Sequence, residues 1–258
     1  MEKTVFAADA FAGKTVLISG GTSGIGLAAA ETFLRAGACV MLMGRDEKRG
    51  NHALAALSAE ERVRFFAGDV RSPSDCRKAV DATVRICGVL DVLVNSAGIY
   101  MEGAAETLSA EDLDEMIDTN LKGTIYLTQA AMPHLRRAHG NIVNVASDAG
   151  LRGNYFCAAY AATKGAIIAF TRSLARETAH EHLRVNAVAP ADVLTPLTER
   201  QLSPHVPHAE QLRQMADIYP MGRIGRSEEA AAVIVFLASS AASWITGSIY
   251  TVDGGLLA

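Results

Sequence analysis

The sequence has no apolar run long enough to cross a lipid bilayer. The longest, residues 230–238, is less than half of the roughly twenty residues that a spanning helix needs. Residues 1–14 include acidic side chains and no apolar stretch of signal-peptide length. Basic charge is not in excess either, since the formal net charge is −4 at pH 7. These absences argue against a membrane or nucleic acid as partner, and we expect a soluble, cytoplasmic protein.

Cysteine is also scarce, with residues only at positions 39, 76, 87 and 157. No C-x-x-C pair exists, so the spacing predicts neither a zinc site nor a disulfide framework, and we expect no metal. Cys39 lies within an apolar run and is expected to be a small core residue.

Short apolar runs alternate with longer amphipathic segments along the whole chain. Strands are predicted at residues 15–19, 38–43, 63–67, 90–95, 141–146, 184–189 and 248–252. Helices are predicted at 24–36, 46–57, 74–87, 109–135 (one or two), 156–178 and 227–239, with Ser109 as an N-cap. Continuous apolar strands that each precede a helix indicate a parallel sheet of about seven strands, covered by helices on both faces. The predicted fold is therefore α/β, one doubly wound domain over residues 1–258.

One polar segment, residues 195–219, interrupts this rhythm and contains Pro196, Pro204 and Pro207. Long irregular insertions of this kind are usually lids or binding loops, although a surface excursion without a role is the alternative.

A glycine-rich turn, S-G-G-T-S-G-I-G at residues 19–26, follows the first predicted strand and opens the first helix. Its glycines permit a tight turn, and the helix N-terminus offers N–H groups to a phosphate. Because the spacing is G-x-x-x-G-x-G rather than G-x-G-x-x-G, the turn alone is weak evidence, but its position favours a dinucleotide site.

Further along, Tyr160 and Lys164 are four residues apart and share one face of the long predicted helix. Ser147 ends the fifth strand, thirteen residues before Tyr160, and Asn120 lies on the preceding helix. A lone Y-x-x-x-K pair occurs often by accident, whereas this order of residues after a glycine turn does not.

With these motifs the sequence resembles the short-chain dehydrogenase/reductase family over nearly its whole length, as a member of the 3-oxoacyl-acyl-carrier-protein reductase type. The glycine turn, N-S-A-G at 95–98 and V-D-G-G at 252–255 match family motifs, with small departures at Ser19, Ser96 and Ala191. The resemblance implies a catalytic tetrad of Asn120, Ser147, Tyr160 and Lys164. It also implies cofactor contacts from Gly20, Thr22, Ser23, Gly24, Ile25, Gly26, Arg45, Asp69, Val70, Asn95, Ala97, Gly98, Tyr160, Lys164, Pro190, Val193 and Thr195.

The chemistry that the tetrad implies is interconversion of a ketone and a secondary alcohol by hydride transfer. Tyr160 would be the general acid for reduction and the general base for oxidation. We expect the Lys164 cation to lower the pKa of Tyr160, and Ser147 to hold the carbonyl oxygen. The resemblance implies that Lys164 also binds the nicotinamide ribose and that Asn120 holds a water in a proton relay.

The end of the second strand bears on the choice of cofactor. Gly44 holds the position where NAD-preferring members of the family carry an aspartate, and Arg45 follows. Because a guanidinium can bind a 2′-phosphate, NADP(H) is favoured, with NAD(H) possible. Asp46 is expected to cap the second helix, and its pairing with Arg45 is the alternative.

Substrate specificity is weakly marked. Asp148, Leu151, Arg152 and Tyr155, with the neighbouring Phe156 and the insertion, are candidate lining residues for a small ketone or alcohol. The favoured function is an NADPH-dependent ketoreductase. The alternatives are an NAD-dependent alcohol, sterol or sugar-alcohol dehydrogenase and a dinucleotide-sensing protein without turnover. His205 and His208 are expected to be surface residues rather than substrate contacts.

The resemblance also implies a homotetramer or homodimer, assembled through helices at about residues 108–135 and 156–178. The second of these segments is rich in alanine and glycine, and small residues permit close helix approach. Burial against the sheet explains these residues equally well.

Overall fold

A computed structural model of the protein describes residues 6–58 and 61–258. Seven parallel strands form its sheet, in the order β3-β2-β1-β4-β5-β6-β9. These are β1 (Thr15–Ser19), β2 (Cys39–Gly44), β3 (Val63–Ala67), β4 (Val92–Asn95), β5 (Asn141–Val145), β6 (Arg184–Pro190) and β9 (Ile249–Val252). A separate two-residue ladder pairs β7 (Val193–Leu194) with β8 (Gly225–Arg226). The α/β class and the seven-stranded parallel sheet are confirmed.

The helices follow the predicted alternation. They are α1 (Gly24–Arg35), α2 (Glu47–Leu57), α3 (Pro73–Cys87), α4 (Ala110–Met116), α5 (Gly123–Ala138), α6 (Ala149–Arg152), α7 (Ala158–Thr178), α8 (Pro196–Glu199), α9 (His208–Ala216) and α10 (Ser227–Ala238). Ser109 accepts a hydrogen bond from the backbone N–H of Asp112 and caps α4 as predicted. Among the described residues, no helix is long and apolar enough to cross a membrane.

Alternate residues of each strand face opposite layers of helices, which is why continuous apolar strands are needed. Val16 and Ile18 of β1 pack with α1 and α10, whereas Leu17 packs with α3 and α5 on the other face. From β1 the strand order runs toward one edge of the sheet through β2 and β3, and from β4 it runs toward the other edge, so the order reverses between the neighbours β1 and β4. In open α/β sheets, ligands bind at this switch point, beyond the carboxyl ends of the strands.

Three predicted segments differ from the structure. The long helix begins at Ala158 rather than at Phe156, because Phe156 has a positive φ of 53°. The segment at 109–135 contains a π-helical turn, Ile117–Lys122, between α4 and α5. The insertion is not irregular throughout, since it contains α8 and α9.

The expectations for cysteine were wrong in one respect. Cys39, at the start of β2, is partly exposed and forms a disulfide with Cys87 at the end of α3. The two residues are 48 positions apart, and no local spacing signals their pairing. Cys76 and Cys157 are buried free thiols.

Candidate active site

A cleft of about 400 Å³ lies at the carboxyl ends of the strands around the switch point. The glycine turn lines one end, and the loops that follow β5 and β6 line the other. Predicted site residues that line it are Gly20, Ser23, Gly24, Ile25, Ala97, Gly98, Ser147, Asp148, Tyr155, Tyr160, Lys164, Pro190, Val193 and Thr195. The structure thus brings residues from the ends of β1, β4, β5 and β6 and from α7 into one space.

The glycine turn has the shape that a pyrophosphate requires. Gly20 and Gly24 have φ of +66° and +51°, which side chains disfavour. A Cβ on Gly20 would lie 2.8 Å from the Ala97 backbone, so the loops approach more closely than any other residue allows. The N-cap residue Ser23 makes no side-chain hydrogen bond to the first turn of α1. The N–H groups there are left for an anion, and the residues present fit a dinucleotide.

The departure at Ser19 preserves a structural hydrogen bond. Its Oγ accepts hydrogen bonds from the backbone N–H groups of Ser96 and Ala97, both at 3.2 Å. The hydroxyl therefore ties the end of β1 to the loop after β4. The backbone at Ala191 does not enter the positive-φ region, so alanine fits there as well.

Tyr160 and Lys164 lie one turn apart on α7, and Ser147 follows β5 across the cleft. The Lys164 ammonium lies 5.7 Å from the centre of the Tyr160 ring and donates a 2.8 Å hydrogen bond to the Val145 carbonyl. Ser147 Oγ donates to Asp148 Oδ1 (3.0 Å) and accepts from the Ala149 N–H (3.2 Å). Helix α7 therefore fixes Tyr160 and Lys164, whereas Ser147 lies two residues beyond the end of β5 and is held by its own hydrogen bonds.

Asn120 occupies the π-helical turn and is buried. Its side chain accepts from the Ile99 N–H (2.8 Å) and donates to the Ile99 carbonyl (3.0 Å) and to Thr163 Oγ1 (3.1 Å). The amide therefore joins the loop after β4 to α7, one residue from Lys164. Both N–H groups of the amide are used, whereas Oδ1 accepts only one hydrogen bond and keeps one acceptor site, so the water of the proton relay stays a prediction.

The expected direction of the Tyr160 pKa is wrong for the protein alone. Burial raises the pKa of Tyr160 above its ordinary value, and Asp148 and Asp192 raise it further, against the lowering effect of a hydrogen bond with Ser147. Burial also lowers the pKa of Lys164 to about 8. Burial is the largest cause of both shifts, and it favours the neutral form of each group, so Tyr160 is held as a protonated phenol.

Four charged residues lie close together where the family resemblance predicts the adenosine, and we call this region the adenosine end. Arg45 Nη1 lies 3.9 Å from Asp69 Oδ2 and 4.0 Å from Glu115 Oε1. Arg71 donates two hydrogen bonds to the same Asp69 oxygen, at 2.9 and 2.7 Å. A Cβ on Gly44 would lie 3.2 Å from the Thr22 side chain, which leaves little space for an acidic residue. Positive and negative charges balance here.

Asp46 caps α2 through the Arg49 N–H, as predicted, rather than pairing with Arg45.

Three other predicted cofactor contacts, Val70, Asn95 and Gly26, have structural surroundings. Val70 is buried. Asn95 donates to Thr128 Oγ1 (3.0 Å) and Asn144 Oδ1 (2.9 Å) and does not line the cleft. Gly26 packs against the Gly20 carbonyl, where any Cβ would overlap.

The predicted substrate-lining residues divide into two groups. Asp148 and Tyr155 line the cleft, whereas Leu151 and Arg152 do not. Arg152 instead lies 3.4 Å from the Asp148 carboxylate and forms an ion pair with that cleft-lining residue. His205 and His208 lie away from the cleft in the insertion, and His208 pairs with Glu199 at 2.9 Å.

Sequence reasoning missed Asp192 and Tyr219. Asp192 lines the cleft, and the Tyr219 hydroxyl donates to its Oδ2 at 2.7 Å while accepting from its N–H at 3.1 Å. Tyr100 stacks edge-on against Tyr160 with ring centres 4.9 Å apart. Only the position of Asp192, two residues after Pro190, could have signalled its role.

Comparison with known proteins gives consistent matches over most of the chain. Residues 20–257 match the family model adh_short_C2, described as enoyl-(acyl carrier protein) reductase. The chain is 37% identical to L-fucose dehydrogenase of Bos taurus over 246 residues, covering 95% of this chain and 90% of the relative. It is 38% identical to 3-oxoacyl-(acyl-carrier-protein) reductase FabG of Thermotoga maritima over 248 residues, covering 95% and 98%.

Solved structures agree. A short-chain dehydrogenase/reductase described as glucose/ribitol dehydrogenase from Brucella melitensis aligns with a TM-score of 0.90 at 36% identity, covering 98% of this chain and 100% of the other. The structure of ElxO with NADP bound aligns at 0.86 and 33%, covering 95% and 98%. A 3-ketoacyl-(acyl-carrier-protein) reductase from Brucella melitensis in complex with NADH aligns at 0.86 and 30%, covering 95% and 99%.

Proposed function

Since the chain belongs to the short-chain dehydrogenase/reductase family, whose members are oxidoreductases that use a nicotinamide cofactor, we propose that it interconverts a ketone and a secondary alcohol at Tyr160. The observation that carries the proposal is the placement of Ser147, Tyr160 and Lys164 in one cleft, beside the uncapped N-terminus of α1. The unit that does this is the domain over residues 1–258, with the insertion as its substrate loop.

The nicotinamide, when bound, supplies or accepts the hydride at the substrate carbon. Tyr160 donates its phenolic proton to the carbonyl oxygen during reduction and removes it from the alcohol during oxidation. Ser147 positions that oxygen beside Tyr160. Lys164 keeps two N–H groups beyond its bond to Val145, and these suit the hydroxyls of the nicotinamide ribose.

NADP(H) is the proposed cofactor. Gly44 places no acidic side chain at the end of β2, and Arg45 beside it supplies a cation for a 2′-phosphate. Relatives in the family hold either dinucleotide, since one aligned structure contains NADP and another NADH. The preference therefore depends on residues of this chain.

Titration with NADPH and, separately, with NADH, followed by nicotinamide fluorescence, tests the cofactor. We expect tighter binding of NADPH and a loss of at least about tenfold on Arg45→Ala, because a charged hydrogen bond is lost. NADH binding should change little. Tighter NADH binding would contradict the preference, and binding of neither would contradict the dinucleotide site.

One observation favours the alternative, an NAD-dependent alcohol or sugar dehydrogenase. Arg45 already lies between the carboxylates of Asp69 and Glu115, which reduce its attraction for a phosphate. A dinucleotide sensor without turnover is a third candidate. It would show no Tyr160-dependent rate with any carbonyl in a broad screen.

A homotetramer or homodimer is also proposed from family membership, with α4, α5 and α7 as the contacting helices. Sedimentation at micromolar concentration should show a species larger than the monomer.

A further inference from the structure

Two carboxylates face the substrate end of the cleft, and neither belongs to the predicted tetrad. Asp148 follows β5 and Asp192 follows β6, and the Asp148 N–H donates to the Pro190 carbonyl at 3.0 Å, which ties the two loops together. Both residues line the cleft. Tyr160 lines the same cleft, and the charges of both carboxylates contribute to the raised pKa of its phenol. We call these two residues the carboxylate pair.

Each carboxylate is held in a fixed orientation. Asp192 is anchored at one oxygen by the Tyr219 hydroxyl (2.7 Å) and through its backbone N–H (3.1 Å). Asp148 is only 6% exposed and receives the Ser147 hydroxyl at one oxygen and Arg152 Nε at 3.4 Å at the other. A carboxylate offers about four lone-pair sites, so each member of the pair can still accept hydrogen bonds from the cleft.

The charges around the pair limit what can bind there. An anionic substrate would meet two carboxylates, with Glu102 as a third acidic residue lining the cleft. A cationic substrate would meet the Lys164 ammonium and, when the cofactor is bound, the positive ring of an oxidised nicotinamide, while Arg152 outside the cleft already offsets the charge of Asp148. A neutral molecule with several hydroxyl groups supplies hydrogen-bond donors without either repulsion.

We propose that Asp148 and Asp192 determine specificity by accepting hydrogen bonds from two hydroxyl groups near the reacting carbon of a neutral polyhydroxylated substrate. The substrate class is thus a sugar, cyclitol or polyol rather than a simple ketone or an acyl thioester. This inference rests on the proposed function, since it concerns the same cleft. Tyr219, which anchors Asp192, lies 27 positions further along the chain, at the end of the insertion. The carboxylate pair therefore depends on the insertion as well as on the sheet.

The test compares substrates that differ in hydroxyl groups. Rates of oxidation with NADP⁺ and NAD⁺ are measured for a panel of aldohexoses, pentitols and myo-inositol, and for cyclohexanol, 2-aminocyclohexanol and a 3-hydroxyacyl thioester. We expect kcat/KM for the best polyhydroxylated compound to exceed that for cyclohexanol by about 100-fold or more, because a site built to bind hydroxyls discriminates strongly against their absence.

Variants then assign the selectivity to the pair. Asp192→Asn and Asp148→Asn keep the shape of the side chain, and each should lower the ratio of kcat/KM for the polyhydroxylated compound to that for cyclohexanol by about tenfold. Asp217→Asn is the matched control, because it removes an exposed carboxylate two residues from Tyr219. It should leave the ratio unchanged.

Tyr219→Phe provides a second measurement should an asparagine variant fold poorly. It keeps the carboxylate of Asp192 but removes its anchor, so KM for the polyhydroxylated compound should rise several-fold while kcat changes little.

The outcomes separate this inference from the proposed function. Tyr160-dependent turnover with a selectivity ratio that neither asparagine variant nor Tyr219→Phe changes would overturn the inference and leave the function standing. Preference for the amino alcohol or the thioester would also overturn it. Absence of Tyr160-dependent turnover with every compound, in both directions, would count against the function itself.

Discussion

The two ends of the cleft are built from different parts of the polypeptide. The end where we propose that the dinucleotide binds is lined by glycines and backbone groups, and a Cβ on Gly20 would lie 2.8 Å from Ala97. The end where we propose that the substrate binds is lined by charged and aromatic side chains, among them Asp148, Tyr160 and Asp192. A backbone-built region tolerates almost no added atoms, whereas a side-chain-built region can change its chemistry by one substitution on an unchanged backbone.

Removal of the reacting hydroxyl gives the sharpest separation of the two ends. Tyr160→Phe should lower kcat by roughly 10²- to 10⁴-fold, the usual contribution of general acid–base catalysis. The dissociation constant for the dinucleotide should stay within about twofold, since the glycine turn is untouched. Steady-state rates and fluorescence titration measure the two quantities. Retained turnover would show that the proton comes from another group.

Two helical glycines form a matched pair for the backbone-built end. Gly26→Ala places a Cβ onto the Gly20 carbonyl, so we expect dinucleotide binding to weaken at least tenfold and the free energy of unfolding to fall by about 1–3 kcal/mol. Gly165→Ala, in α7, has its nearest atom at 3.5 Å, and should stabilise the protein by up to about 1 kcal/mol. Thermal melts with and without dinucleotide test both. Equal effects of the two substitutions would contradict the comparison.

Desolvation at the side-chain-built end should appear as a pH dependence of stability. Burial lowers the pKa of Lys164 to about 8, below its unfolded value of about 10.4. Between these values the unfolded chain binds more protons, so this residue makes the protein more stable as pH rises from about 8 to 10.

The change from this residue should amount to about 2–3 kcal/mol. The difference in free energy of unfolding between Lys164→Met and the unchanged protein isolates it. That difference should favour the variant most at pH 7 and shrink toward pH 10, in the absence of dinucleotide. A difference independent of pH would show that Lys164 is not desolvated.

The smallest expected effect concerns the charged residues of the adenosine end. Glu115→Gln removes a carboxylate 4.0 Å from Arg45 and 3.7 Å from Arg71. NADPH should bind about two- to fivefold more tightly, because partly exposed ion pairs contribute less than about 1 kcal/mol. NADH binding should not change, and Glu106→Gln, an exposed carboxylate with no such contact, is the control. Weaker NADPH binding would show that Glu115 orients Arg45 rather than competing for it.

The strands of the seven-stranded sheet could be predicted from the sequence to within about two residues, because buried apolar runs have few alternatives to a parallel sheet, whereas the short β7 and β8 were not predicted. The residues of the tetrad could be named because their order along the chain is distinctive. In contrast, the contacts of Glu115 with Arg45, of Tyr219 with Asp192 and of Cys39 with Cys87 join residues 27 to 70 positions apart. Such pairs depend on how distant segments of the chain pack together in the fold, and no local periodicity of the sequence indicates that packing.

The predicted direction of the pKa shift of Tyr160 was wrong for a related reason. The attraction of Lys164 could be inferred from i, i+4 spacing, but the desolvation of the phenol depends on how Tyr100 and the loop residues close over it. Phe156 is a smaller case, since its positive φ delays the start of the helix to Ala158 and nothing in the apolar spacing indicates it.

The insertion begins and ends close to one place, the separate two-residue ladder of β7 and β8. Val193 and Leu194 pair with Gly225 and Arg226, and the Tyr219 hydroxyl binds Asp192 at the same place. Because the ends of a closed loop are held together, changes in its length cost little free energy and do not reach the strands. The loop can therefore be replaced as a cassette during evolution, which would let the substrate range diverge while the reacting groups stay in place.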